Sequence, residues 1–310
     1  MTDLGADLAY AQVMDKLVEH YGIVLGESTI RKLTLAHAKK IHQRSQGRPL
    51  GLPNPVGKAC TFIAQTDGCM VPTVRSDAKQ KDKRKGKSVQ WQEAKVSLAH
   101  AQGSKEMAFG ATLAGGVDTA GQQLRACAKR VGFGKGHRVH GVGDGAPWIA
   151  HQMKERFGSQ GRYLLDFYHV CDYLSAATKA IHSQSGEQEK WLQTQKDRLK
   201  SQGIDKVLNE LQTHLEPPDS PDEQAPVRCC YRYLGQRQDQ LDYESALRED
   251  LPIGSGEIES AHRYLVQKRL KLPGAWWQES NAEHMLALRV SRANGEWNSY
   301  WATDYLYAAL

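Results

Sequence analysis

The chain has 310 residues, 40% hydrophobic and 25% charged, the composition of a soluble globular protein with a core of its own rather than of a disordered or fibrous one. No run of eighteen apolar residues occurs, so no membrane span is expected, and the N-terminus lacks the basic-then-apolar layout of a secretory signal. The six cysteines, at 60, 69, 127, 171, 229 and 230, form no Cys-x-x-Cys pair, which argues against a zinc site and for reduced thiols in the cytoplasm. A net charge of +6 leans towards a polyanionic partner, and the placement of the basic residues has to decide.

Residues 4–44 read as two helical pieces. Leu8, Val13, Leu17 and Tyr21 fall on one face, the stretch from Gly22 to Gly26 breaks the period, and Ser28 and Thr29 are good cap residues before Ile30, Leu33 and Ile41 resume it. Helix, glycine-bearing turn, helix is the outline of a helix-turn-helix, and the second helix carries Arg31, Lys32, Lys39, Lys40 and Arg44, suited to phosphate or base contacts. A helical hairpin with a solvated basic face has the same outline. Residues 1–45 are therefore expected to be a DNA-binding segment, followed by a Gly/Pro-rich linker over 46–58.

A strand is predicted from Cys60 to Gln65, then Thr66-Asp67-Gly68, with a continuation to Val74. Asp67 is out of place in such a run unless it is paired or used; an Asp-Gly hairpin turn would also explain it. The better site for the turn is the lysine-rich stretch 75–87, which includes Lys83, Arg84 and Lys85 and could grip a DNA backbone or simply be a solvated tip. Strands are expected at 90–99 and 107–114, then a helix over 119–131.

Val139 to Val142 reads as a short buried strand that runs into Gly143-Asp144-Gly145, with Pro147 placed for the first turn of a helix. A second buried strand is read over Tyr163–Val170, again carrying an acid, Asp166. Carboxylates at strand ends in consecutive strand–helix units would converge where α/β sheets bind ligands, although such aspartates also cap helices. Residues 176–250 are polar, with helices at 186–201 and 203–215 and a Pro/Asp loop at 217–226, and read as a helical insertion without nameable chemistry. Gly254-Ser255-Gly256 then opens a helix of about four turns bearing Glu257, Glu259, Arg263, Lys268, Arg269 and Lys271, followed by Trp276 and Trp277. Glu257 and Glu259 lie about 200° apart on a helix, so only one can face a given site. Trp276-Trp277 is core or, if exposed beside a basic helix, a surface on which an unpaired base stacks.

The predicted order is strand, strand, strand, helix, strand, helix, strand, helix: an antiparallel meander continued by α/β units. This α/β order is also that of a ribonuclease-H-like mixed sheet, with the catalytic core over 59–175 and 251–310 and the helical insertion before its last helices. Asp67, Asp144 and Glu259 would come from its first strand, its fourth strand and a late helix, where such sheets assemble three carboxylates around two divalent ions.

The sequence resembles the DDE transposases of bacterial insertion sequences, most closely the ISKra family, which are Mutator-like. The residues that carry the resemblance are Thr66-Asp67-Gly68, Gly143-Asp144-Gly145-Ala146 with Trp148-Ile149, Leu165-Asp166-Phe167-Tyr168-His169-Val170, and Gly254-Ser255-Gly256 with Ile258-Glu259 and Arg269. It implies Asp67, Asp144 and Glu259 as metal-binding acids for Mg2+ or Mn2+, Asp166 and His169 as a supporting pair, and Glu257 as the substitute third acid. Relatives of this kind often carry a longer, cysteine-rich N-terminal region, so a truncated copy or internal start is expected.

The function expected is metal-dependent DNA strand cleavage and strand transfer at inverted-repeat ends. Arg31, Lys32, Lys83, Arg84, Lys85, Arg263, Lys268 and Arg269 would hold phosphates and Trp276 a base. The partners would be terminal-repeat and target DNA and further copies of the chain, as a dimer or larger synaptic complex, in the cytoplasm at the nucleoid. The alternatives are a ribonuclease-H-like nuclease without strand transfer and an inactive DNA-binding repressor.

Overall fold

The N-terminal pair of helices is three in the computed structural model, which describes residues 1–46, 60–76, 86–201 and 203–308. They are α1 (Thr2–Asp7), α2 (Tyr10–Tyr21) and α3 (Glu27–Gln46). Gly22, in the left-handed region at φ 64°, ends α2 and donates its N–H to carbonyls of the last turn. Val13 and Leu17 of α2 close on Ile30 of α3. The hairpin does not stand apart: Ala6, Ala38 and Ile41 enter the main core of a compact unit made of Met1–His137 and Gly256–Leu310.

Residues 61–76 and 87–101 form two long antiparallel strands, β1 (Thr61–Ser76) and β2 (Lys87–Ala101), and β3 (Met107–Thr112) adds to β2, again antiparallel. As expected, the first strand continues through Thr66-Asp67-Gly68: β1 sets Asp67 opposite Val96, which excludes the alternative Asp-Gly turn, and its antiparallel partner β2 begins at Lys87. Lys83, Arg84 and Lys85 lie outside the described residues. Helix α4 (Val117–Arg130) lies on one face of this meander, where Ser97 donates its hydroxyl to the Ala120 carbonyl at 3.1 Å and also meets the Thr66 hydroxyl.

A second compact unit spans Arg138–Ser255. Its parallel strands β4 (Arg138–Gly143) and β5 (Gly161–Leu165) flank α5 (Pro147–Phe157), with Pro147 in the first turn as expected. The second strand is shorter than the sequence suggested. It stops at Leu165, and Phe167-Tyr168-His169-Val170 opens α6 (Phe167–Ile181). The polar stretch beyond it folds as α7 (Ser185–Lys200), α8 (Ile204–Gln212), α9 (Pro226–Gly235) and α10 (Tyr243–Arg248). These helices share one core with β5 and α6, built from Leu165, Val170, Leu174, Leu211, Leu234 and Tyr243 among others. The five strands, three antiparallel and two parallel, make the chain mixed α/β.

The chain returns to the first unit with α11 (Gly256–Ala261), a π-helical stretch over His262–Gln267 and α12 (Lys268–Leu270), then α13 (Glu279–Ala293) and α14 (Trp297–Ala308). Three arginines from this part fasten α1. Arg269 Nε donates to the Gly5 carbonyl at 3.0 Å, Arg289 to the Ala6 carbonyl and to Asp7 Oδ1 (2.7 Å), and Arg292 to Asp7 Oδ2 (2.7 Å) and Asp3 (2.9 Å). The last carbonyls of a helix lack intrahelical donors, and here guanidinium groups supply them.

Burial pushes the Asp7 carboxyl up, but the hydrogen bonds from Arg292 and Arg289 prevail and hold it below the usual range. A depressed carboxylate stabilises the fold above its unfolded pKa, near 3.8, and loses that contribution as pH falls through the lower folded value. Asp7→Asn is therefore expected to cost about 1–3 kcal/mol at pH 7 in urea unfolding. The gap to wild type should narrow as pH falls below 3.8. A gap that stays constant with pH would show that the ion pairs do not carry it.

Candidate active site

In the first unit Asp67 stands mid-strand, half-buried, beside the π-helical stretch. Its Oδ1 accepts the N–H of Gly68 at 2.7 Å. His262, buried, sets Nε2 3.3 Å from the Asp67 carbonyl and Nδ1 3.8 Å from Asp67 Oδ2. Burial lowers the pKa of this imidazole, against the upward pull of the carbonyl bond, so it is neutral near pH 7. The neutral ring donates Nε2–H to the carbonyl, and the longer Nδ1 contact is not an ion pair. A π-helical turn inside a helix is a frequent mark of a functional site, and here it begins at the histidine that touches Asp67.

The two glutamates of α11 part company. Glu257 turns to the sheet, with Oε2 3.1 Å from His100 Nε2 and 3.4 Å from Gln65 Nε2, while Glu259 is exposed and makes no hydrogen bond or ion pair among the described residues. Gln65 also accepts the N–H of Ile258 at 3.0 Å, which pins the first turn of α11 to β1. The hydrogen bond that Glu257 accepts from His100 raises the pKa of His100 against the effect of burial. Gln65 lies two residues before Asp67 on the same face of β1. Neither Gln65 nor His100 was singled out from the sequence; the available signal was a polar side chain at period two from Asp67, inside a buried strand.

Arg31, Lys32, Arg263 and Lys268 are exposed. Arg269 is not part of that basic surface. It is 2% exposed, bonded to the Gly5 carbonyl and sandwiched by the rings of Tyr10 (4.6 Å) and Trp277 (4.8 Å), so its charge serves the core instead of a phosphate. Trp277 is buried and Trp276 exposed.

In the second unit Asp144 follows β4 directly. Its Oδ1 accepts the N–H of Ala146 at 2.8 Å, and it does not cap α5. The turn is held by α9 and the residue just beyond its C-cap: Tyr233 donates its hydroxyl to the Asp144 carbonyl at 2.7 Å, and Arg237 donates to the Gly145 carbonyl at 3.1 and 3.3 Å. Tyr163 accepts the Gly145 N–H at 3.1 Å. Gly145 has φ 87°, and a Cβ there would sit 2.6 Å from Leu165 Cδ1 and 2.7 Å from the Tyr233 hydroxyl, so only glycine fits. Tyr233 stacks on Tyr173 at 4.0 Å, and His169 meets both rings edge-on.

Asp166 is buried and fully engaged. Oδ1 accepts the N–H groups of Tyr168 (2.6 Å) and His169 (3.0 Å), the N-cap of α6, while Oδ2 accepts the N–H (2.6 Å) and hydroxyl of Ser255. The expected Asp166–His169 pair is thus a contact with the backbone of His169, and the imidazole goes to the tyrosines.

Among the described residues no three His, Cys, Asp or Glu side chains gather into a metal-binding group. The donor chemistry of Asp67, Asp144 and Glu259 nevertheless suits a hard divalent cation, since all three offer carboxylate oxygens and Glu259 and Asp144 Oδ2 have no hydrogen bond among the described residues. Asp166, with four donors on its two oxygens, does not suit one.

The sequence model of an uncharacterised protein family, UPF0236, matches residues 134–301, more than half of the chain. The chain belongs to this family. The matched stretch takes in Asp144, Asp166, His169, Tyr233, Glu257 and Glu259 and leaves Asp67 outside. No curated protein matches the chain.

In this UPF0236 protein the two strand-end aspartates should respond differently to substitution. Asp166→Ala removes a cap and two buried acceptors and should cost about 2–4 kcal/mol in urea unfolding. Asp144→Asn keeps an oxygen for Ala146 and should stay within about 0.5 kcal/mol of wild type. Equal losses would mean that Asp144, too, is structural.

Proposed function

We propose that this UPF0236 protein is a DDE-type DNA transposase with a ribonuclease-H-like core. The observation that carries the reading is the order of elements and acids along the chain. Three antiparallel strands come first, with Asp67 on β1; α4, β4, α5, the parallel β5 and a helical run follow, with Asp144 just past β4; Glu257 and Glu259 open the late helix α11. The net charge of +6 and the exposed Arg31, Lys32, Arg263 and Lys268 suit a polyanionic substrate.

Asp67, Asp144 and Glu259 would hold Mg2+ or Mn2+. Divalent ions bound by carboxylates activate an attacking oxygen and stabilise the leaving one in an in-line displacement at phosphorus. Tyr233 and Arg237 keep the Asp144 turn rigid, and exposed arginine and lysine side chains hold the DNA backbone. Water oxygen attacks the phosphodiester at the element end, and the 3′-oxygen leaves and takes up a proton. The freed 3′-hydroxyl then attacks a target phosphodiester and displaces that strand's 3′-oxygen. Two ends joined in one event call for at least two copies of the chain on DNA, at the nucleoid.

Glu257 is the second candidate for the third acid, because it faces β1 and is oriented by Gln65 and His100, whereas Glu259 is exposed. The reading is tested by Mg2+-dependent nicking of a plasmid carrying the DNA that flanks the coding sequence, and by joining of a labelled 3′-hydroxyl end to a second plasmid. Asp67→Asn, Asp144→Asn and Glu259→Gln should each slow nicking at least about a hundred-fold. A larger loss in Glu257→Gln than in Glu259→Gln would transfer the third place to Glu257. Nicking without joining would leave a nuclease, and DNA binding without nicking a repressor; either result overturns the transposase.

A further inference from the structure

Helix α4 covers one face of the β1–β2 ribbon only in part. At the Thr66–Ser97 level it is in contact, through Ser97 and Ala120. Beyond Gly68 and Lys95 the same face is largely exposed among the described residues. Side chains on directly paired residues share a face, and the pairs there are Met70 with Glu93, Pro72 with Trp91, and Val74 with Val89. Met70 and Val89 are each 45% exposed and Trp91 59%. The opposite face is closed, with Cys69, Val71 and Thr73 buried.

The outer edge of β1 adds a second indole to this face. Thr73 forms a parallel bridge with Trp277, and the Trp277 carbonyl accepts the Val74 N–H at 2.8 Å. One residue earlier, Trp276 comes level with Pro72, whose partner across the ribbon is Trp91. Neighbours in extended chain point to opposite faces, and the buried Trp277 and the 58% exposed Trp276 follow that rule. Trp276, Pro72 and Trp91 therefore form one row of rings, with the two indoles roughly 10 Å apart across β1. Lys87, paired with Ser76 on the same face, stands exposed at one end of the row, and Glu93 at the other is neutralised by Lys95 at 2.8 Å.

We propose that this row is a stacking platform for single-stranded DNA, with unpaired bases on Trp91 and Trp276 and the adjoining backbone at Lys87. It rests on the DNA reading above and assigns to it a substrate form, the unpaired strand. A row of exposed rings that ends at a positive charge matches the face of a base and the charge of its phosphate. Every base presents such a face, so the platform does not select sequence.

The test uses the full chain with a single-stranded oligonucleotide carrying 2-aminopurine, and with the corresponding duplex. Stacking quenches the probe. Trp91→Ala and Trp276→Ala should each raise the single-strand Kd roughly 5- to 100-fold and abolish quenching, with duplex Kd unchanged. Trp91→Phe, which keeps a π-face, should recover most of the affinity. Both side chains are exposed, so thermal unfolding should match wild type. Unchanged single-strand binding in the alanine variants overturns the platform. So does sedimentation showing that wild type self-associates and Trp91→Ala does not, since a second copy then covers the face. If plasmid nicking persists while these variants bind single strands normally, the platform alone falls; if no DNA of either form binds, the transposase reading falls with it.

Discussion

One carboxylate holds the second unit in order. Asp166 is buried and accepts four hydrogen bonds, two from the first turn of α6 and two from Ser255. An isolated buried carboxylate is costly, and it is tolerated here because its lone pairs meet donors that also lack other partners. The same tie fixes three chain segments at once: the end of β5, the start of α6 and residues 253–255. The N–H of Phe167 bonds the Ile253 carbonyl at 2.8 Å, and His140 Nε2 lies 2.8 Å from the Pro252 carbonyl. The path is too tight for a side chain at Gly254, where a Cβ would meet the Tyr168 ring at 2.7 Å.

From that frame the Asp144 turn inherits its shape. Its carbonyls are held by Tyr233 of α9 and by Arg237 just beyond it, and α9 is held in turn by packing on α6, which Asp166 starts. The helical run after α6 is therefore not an appendage to the strands. It supplies two donors to backbone that would otherwise be a flexible glycine turn, and it leaves the Asp144 carboxylate with a single backbone partner.

Much of this was legible in the sequence, and the failures have physical reasons. Alternation and β-branched residues marked β1 and β2, and Gly143-Asp144-Gly145 followed by Pro147 marked a strand–turn–helix. The run Tyr163–Val170 was read as strand throughout because an apolar run has no period to separate a buried strand from a helix start. The clue was Asp166 itself, a good cap residue inside the run. Arg269 was assigned to DNA because a charged residue on a polar helix is normally solvated. Its true partners, the Gly5 carbonyl and the rings of Tyr10 and Trp277, lie far away in sequence. Tyr233 and Arg237 were missed for the same reason: nothing local in α9 points to the carbonyls of residues 144 and 145.

The two glutamates of α11 show how spacing and environment answer different questions. Spacing said that Glu257 and Glu259 face apart, and in the structure one meets the sheet and the other meets solvent. Spacing alone could not say which side carries chemistry. A carboxylate held by His100 and Gln65 is oriented but already engaged, and a ligand would have to compete with those bonds. An exposed carboxylate such as Glu259 costs nothing to recruit, but no neighbour fixes its rotamer. The protein thus offers a preorganised acid and a free one on successive faces of one helix turn. A substrate that brings its own charge and displaces water favours the free one, whereas chemistry that depends on fixed geometry favours Glu257.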